Sequence, residues 1–156
     1  MNPQLDSDIP TVPFVSIIYR EHAKFLNEKV KEDDLSFGLF PLLIKIYKSE
    51  GIIQEQLAQC FHLNESTITR NLKKLEDKGF ILRIQDKRTK KIEITEKGKK
   101  TAQKVIDYDE EWDRKIKEII GDEEFFNYKN TLKTICDELI WIKLSTIKKK
   151  VEYSLV

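Results

Sequence analysis

A mainly α-helical fold with one small β-hairpin is predicted by three observations on this 156-residue chain. Apolar residues recur at steps of three and four through most of its length, the period of amphipathic helices. One place switches to alternation: Ile81 to Ile84 and Lys91 to Ile94, joined by the charged turn Asp86-Lys87-Arg88-Thr89. Just before that hairpin lie two short helical patterns, the second stopped by Gly79, where a left-handed backbone is needed. Two short helices and a basic hairpin at this spacing read as a winged helix-turn-helix, with dimerisation helices at the N- and C-terminal ends.

Each element has its own signal. Thr11-Val12-Pro13 opens a first helix, with Pro13 tolerated in the first turn, and Val15, Ile18, His22, Phe25, Leu26 and Val30 carry it to about Lys31. Ser36 is placed to cap a second helix, Phe37 to Ser49, which buries Leu39, Leu42, Leu43 and Ile46 before Gly51 ends it. A third, about Gln54 to Phe61, buries Leu57, Ala58 and Phe61. Asn64 caps a fourth through its side-chain oxygen, running to Lys78 with Ile68, Leu72 and Leu75 inward. Thr95 caps a fifth, along which Val105, Tyr108, Trp112, Ile116 and Ile119 recur. Asp122 caps a sixth, whose Phe125, Tyr128, Leu132, Ile135, Leu139 and Ile142 form a heptad seam. At about 24 residues and 36 Å each, the last two overshoot a small domain. Their seam calls for a second copy of the chain. The expected division is 1–35 for the tail and first dimerisation helix, 36–98 for the winged lobe, and 99–156 for the C-terminal dimerisation helices.

Composition narrows the function classes. A chain that is 40% hydrophobic and 35% charged, with 4 Pro and 5 Gly, is helical rather than disordered. No apolar run approaches the roughly 18 residues of a spanning helix, so no membrane partner is expected. The start MNPQLDSDIP has neither a basic nor an apolar leader region, and Cys60 and Cys136 form no framework; both fit a cytoplasmic protein. The charge is lopsided. Arg70 to Lys104 holds 13 Lys or Arg against 5 Asp or Glu, a balance of +8 in a chain of +1, leaving −7 elsewhere. Positive charge gathered on one supersecondary unit is suited to a polyanion.

The fourth helix has the chemistry of a major-groove reader. Ser66, Thr67, Thr69 and Arg70 offer short hydroxyls and one fork of donors in its first turns, with Lys73 and Lys74 beyond. Small hydroxyls allow close approach and bond bases or phosphates, and Arg70 is suited to guanine. The free N–H groups at the helix start suit a phosphate. At the hairpin tip, Lys87, Arg88 and Lys90 form a cationic point. Arg88 is built for a narrow minor groove, and Asp86, two residues earlier, can hold its guanidinium. The competing reading is that these side chains merely coat a solvated helix face and an ordinary charged turn.

These residues carry a resemblance. Gln54-x-x-Leu57-Ala58, then Ser66-Thr67-Ile68-Thr69-Arg70-x-Leu72-x-x-Leu75-Glu76-x-x-Gly79-Phe80-Ile81, then Arg83, Asp86-x-Arg88-x-x-x-Ile92-x-Ile94-Thr95-x-x-Gly98 is similar to the multiple-antibiotic-resistance regulator (MarR) family of dimeric winged-helix transcription factors. The likeness covers nearly the whole chain. It implies recognition-helix roles for Thr67, Thr69 and Arg70 and a wing role for Arg88. It further implies a homodimer on an inverted-repeat operator in double-stranded DNA, and a crevice that accepts a small phenolic or aromatic acid, for which Tyr19, Arg20 and His22 would be the lining. Three departures stand out: Ile53 replaces the usual hydroxyl cap, His62 replaces a turn glycine, and the wing is about three residues short between Arg83 and Asp86.

The expected function is a sequence-specific DNA-binding regulator, a repressor, released by an aromatic anion. The alternative is a winged-helix protein-interaction module with no specific DNA binding. No nucleophile–base pair, phosphate loop or carboxylate dyad is present in the sequence, so no enzyme and no cofactor is expected. His22 and His62 have no partners at ligand spacing, so no metal site is expected, and Cys60 reads as a small buried apolar residue rather than a redox sensor.

Overall fold

The computed structural model describes residues 8–86 and 89–154, with side chains described over 8–85 and 91–140. Its elements run α1 (Thr11–Lys29), α2 (Phe40–Lys48), α3 (Gln54–Phe61), α4 (Glu65–Asp77), β1 (Ile81–Asp86), β2 (Thr89–Ile94), α5 (Glu96–Ile120) and α6 (Asp122–Ser154). Two compact units divide between Glu110 and Glu111.

In the first unit the inward stripes of α2, α3 and α4 meet the hairpin and the start of α5. Leu43, Leu57, Ile68, Leu72, Leu75, Phe80, Ile81, Ala102 and Val105 are fully enclosed there. Each buried Leu or Ile stabilises by about 1.5–3 kcal/mol, so this cluster dominates the lobe. The strands pair antiparallel from Ile81 opposite Ile94 to Asp86 opposite Thr89. β2 also meets the segment before α3, where Ile92 N–H donates to Ile52 O at 3.2 Å. Polar and aromatic contacts fasten α5 to the region around α1. Lys104 Nζ is 2.8 Å from Asp33, whose other oxygen accepts from the buried Thr101 hydroxyl at 3.1 Å. Tyr108 meets Phe25 edge-on, with the Lys29 ammonium over both rings.

Several ends differ from the sequence reading for identifiable reasons. α1 stops at Lys29, and residues 31–33 tighten into a 3-10 turn. Ser36 makes no side-chain cap. Pro41 has no N–H to give Phe37 O, so Phe40 N–H takes that carbonyl instead. Phe37–Leu39 is therefore 3-10, and α2 begins at Phe40. Ala58 and Phe61 are half-buried, not enclosed, and Cys60, read as buried, is exposed near the C-terminal end of α3. The strands are six residues each, longer than the alternation alone indicated.

In the second unit, α6 begins at Asp122, and Gly121 O receives the Phe125 N–H at 3.0 Å. Asp122 is thus the first helical residue and not the cap; its carboxylate lies 3.7 Å from Lys117. α5 has 25 residues and α6 has 33, the latter well beyond the expected 24 or so. Phe125 is buried, flanked by the Lys117 and Lys129 ammonium groups. Among the described seam residues Tyr128 is half-buried while Leu132, Ile135 and Leu139 are exposed, Ile135 by 50% and Leu139 by 62%, and on α1 of the first unit Val12 is 72% and Val15 55% exposed.

Candidate nucleic-acid interface

α4 is fixed at both ends. Asn64 Oδ1 accepts from Thr67 N–H at 2.8 Å and from the Ser66 hydroxyl at 2.8 Å, which satisfies the first turn. At the other end Gly79, at φ +75°, lets Phe80 N–H reach Leu75 O and Gly79 N–H reach Glu76 O. Before α4, His62 holds the left-handed turn at φ +50°, the strained place the missing glycine pointed to. Ile53 has no oxygen to cap α3, but Gln56 reaches back to the Ile53 N–H at 3.1 Å and supplies the other half of a capping pair.

The first turn of α5 closes over the end of α4. Thr95 Oγ1 donates to Gly79 O at 2.7 Å and accepts from Gly98 N–H at 3.0 Å. Lys97 Nζ donates to Lys78 O at 2.7 Å, its charge 4.4 Å above the Phe80 ring. The foot of the hairpin is braced to α4 by Arg83, whose Nε donates to Glu76 Oε2 at 2.8 Å. Arg83 N–H takes the other Glu76 oxygen at 3.2 Å.

That guanidinium holds the Glu76 carboxyl below the ordinary value of 4.5. A carboxyl with a lowered folded-state pKa contributes stability that is present above its unfolded pKa and is lost as pH falls through its folded one. Urea titrations of the wild type and Glu76→Gln should therefore differ at pH 7 and converge as pH drops below about 4. A constant difference across that window would remove the brace as the cause.

The expected DNA-facing residues on α4 lie as follows. Ser66, Thr69, Arg70 and Lys73 share its exposed stripe, with Thr67, half-buried, and Lys74 on the flank. Arg70 leans on Thr67 Oγ1 at 3.4 Å. Thr69 Oγ1 accepts from Gln54 Nε2 of α3 at 2.9 Å. Much of the basic charge nearby is engaged: Lys78 with Asp34, Arg83 with Glu76, Lys99 with Glu96, Lys104 with Asp33. Among the described residues Arg70, Lys73 and Lys74 form no ion pair, and the stripe carries no apolar side chain. Lys87 and Arg88 lie outside the described residues. Asp86 and Lys90 are placed in β1 and β2, opposite Thr89 and Gln85, with their side chains outside the described set.

Of the expected effector residues, Tyr19 and His22 meet around Phe37, with ring centroids 5.2 and 5.6 Å away. His22 Nε2 is 2.8 Å from Asp109. Arg20 is not brought to them; it is exposed and donates to Ser16, one turn back along α1. Among the described residues no group of three or more His, Cys, Asp or Glu could hold a metal, and no helix is long and apolar enough to cross a membrane.

Comparison with known proteins places this geometry. The MarR family model matches residues 35–92. The HTH-type transcriptional regulator BilQ of Clostridium symbiosum is 32% identical over 118 residues, covering 73% of this chain and 82% of that protein. The uncharacterised HTH-type transcriptional regulator YybA of Bacillus subtilis is 40% identical over 89 residues, or 55% of this chain; the chain spans 59% of that relative's length. A MarR-family regulator of Listeria monocytogenes, solved with a 26mer DNA, superimposes with a TM-score of 0.74 at 27% identity, covering 86% of this chain and 91% of that one. These are transcriptional regulators, not enzymes. With its helix-turn-helix, its two-stranded wing and relatives of this kind, the chain belongs to the MarR family of winged-helix transcriptional regulators.

Proposed function

We propose that this chain is a sequence-specific double-stranded-DNA-binding repressor that acts as a homodimer on an inverted repeat. The observation that carries the reading is the exposed stripe of α4, where Arg70 and Lys73 stand clear of ion pairs beside Ser66 and Thr69, while Lys78, Arg83 and Lys104 are engaged in holding the lobe together. In this reading α4 enters the major groove, Arg70 takes a guanine edge, Lys73 and Lys74 take phosphates, and Arg88 on the wing takes the flanking minor groove. A second copy supplies what Val12, Val15, Ile135 and Leu139 lack, and sets the two reading helices about 34 Å apart.

Duplex selected from a random library should bind far more tightly than unselected duplex in fluorescence anisotropy, and sedimentation should return twice the 18.5 kDa of one chain. Equal affinity for all duplexes, or a monomer at working concentration, would sink the reading. The second reading, a protein-interaction module, has one observation in its favour: Leu82 and Ile84 are exposed side by side on the outer face of the hairpin. Absence of any duplex binding at low salt would favour it.

For the effector, the Tyr19–His22–Phe37 cluster is the place a small aromatic acid would stack, without a charge from Arg20. Benzoate should then release the operator duplex in the wild type and do so less in Tyr19→Ala. Release that is equal in both would exclude the cluster.

A further inference from the structure

We infer that Gln54 is a positioning residue of the DNA-reading face: it commits the Thr69 hydroxyl to donate outward, toward an acceptor on a base edge. The inference rests on the DNA-binding reading above and deepens it. Gln54 opens α3, and its Nε2 donates across to Thr69 Oγ1 on α4 at 2.9 Å. Gln54 Oε1 is buried and meets no donor. Turning the amide over would strand two N–H donors where one carbonyl oxygen is now stranded, and an orphaned carbonyl oxygen is the better tolerated of the two.

Thr69 is β-branched and stiff at χ1, so its oxygen stays where Gln54 holds it. A mid-helix threonine commonly spends its proton on the carbonyl one turn back, as Thr134 does on Asn130 O at 3.0 Å. Thr69 makes no such bond among the described residues; its oxygen accepts from Gln54, the side chain is exposed, and no acceptor among the described residues takes its single proton. Ser66 is arranged the opposite way. Its proton goes to Asn64 Oδ1, which leaves its oxygen outward as an acceptor. Arg70 offers donors alone.

The face therefore presents an acceptor at Ser66 and donors at Thr69 and Arg70. Beside Thr69 this favours thymine O4 or the O6 and N7 of guanine, and it disfavours the exocyclic amines of cytosine and adenine.

The test is base preference, read from a randomised duplex library with the wild type, Gln54→Glu, Gln54→Met, Thr69→Val and the double variant Gln54→Glu/Thr69→Val. Each is first shown by thermal melting to be folded. A glutamate can only accept, so it draws the Thr69 proton inward and turns the oxygen outward. At one position per half-site the preference should move about five- to tenfold from guanine or thymine to cytosine or adenine. Gln54→Met frees the hydroxyl and should flatten that position alone, and in the Thr69→Val background Gln54→Glu should change nothing there. Unchanged preferences in both Gln54 variants, or a loss of affinity uniform over all sequences, overturns the inference and leaves the DNA-binding reading standing. No preference in the wild type overturns both. If Gln54→Glu fails to fold, Gln54→Met against Thr69→Val decides the matter.

Discussion

Gly98→Ala should destabilise the protein by about 2 kcal/mol, although alanine is the better helix former. Gly98 lies in the first turn of α5, where exchanging Gly for Ala ordinarily gains about 1 kcal/mol. Here a Cβ would sit 2.1 Å from Phe80 O and 2.7 Å from Ile94 Cγ1. The carbonyl cannot retreat, because it already receives Thr95 N–H at 3.0 Å and lies 3.1 Å from the Thr95 hydroxyl. Overpacking against fixed backbone costs about 3 kcal/mol or more, so the steric cost outweighs the propensity gain. The melting temperature should fall by roughly 4–8 °C. Gly38→Ala is the control, since nothing lies within 4 Å of its Cβ position. A Gly98→Ala protein as stable as the wild type would mean that the end of α4 and the start of α5 are not clasped as described.

Affinity for a selected duplex should fall about a hundredfold between 50 and 200 mM salt. In the proposed dimer Lys73 and Lys74 offer two phosphate-facing cations per chain, four in all, and each phosphate neutralised adds about 0.9 to the slope of log affinity against log salt. Within that dependence the two kinds of contact separate. Arg70→Ala should cost about 1–3 kcal/mol on the selected sequence and much less on random duplex, because it removes a base contact. Lys73→Ala should weaken all sequences alike and reduce the slope by about one for each phosphate no longer neutralised. Anisotropy titrations at four salt concentrations measure both. If neither substitution changes affinity at fixed salt, the assignment of α4 to the groove is wrong.

The elements that announce themselves through local chemistry were legible in the sequence. The Asn64 cap, the Gly79 stop and the Thr95 cap are where the residue types put them, and α3 spans Gln54–Phe61 as its periodicity indicated. The second helix was misjudged because Ser36 looks like a cap until Pro41, five residues on, removes the donor its first turn needs. The sixth was read too short because its apolar seam ends at Ile142, whereas a helix continues through good helix formers such as the lysines beyond.

The outward residues of α4 could be chosen from sequence because a helix sorts its faces by period. What holds them could not. Gln54 against Thr69, Glu76 against Arg83 and Asp33 against Lys104 are contacts made by packing between elements, invisible to local spacing. Nor could a charge count reveal that Lys78 and Lys104 are matched by acids more than forty residues away. Tyr19, Arg20 and His22 look like a cluster on paper. On a helix, adjacent residues point about 100° apart, so Tyr19 and His22 share a side and Arg20 leaves it.

The bond from Arg83 N–H to Glu76 has a bearing on how the molecule behaves in a crowded solution. Arg83 stands opposite Ile92, and Ile92 N–H is turned toward Ile52, so this pair exchanges no bonds and the Arg83 N–H points off the rim of the hairpin. A rim with vacant amides invites strands from other molecules and is a common seed of fibrils. On this rim an incoming strand would have to evict a carboxylate that a guanidinium already clasps from beside it. The ribbon is thereby shielded from recruiting further strands at that point.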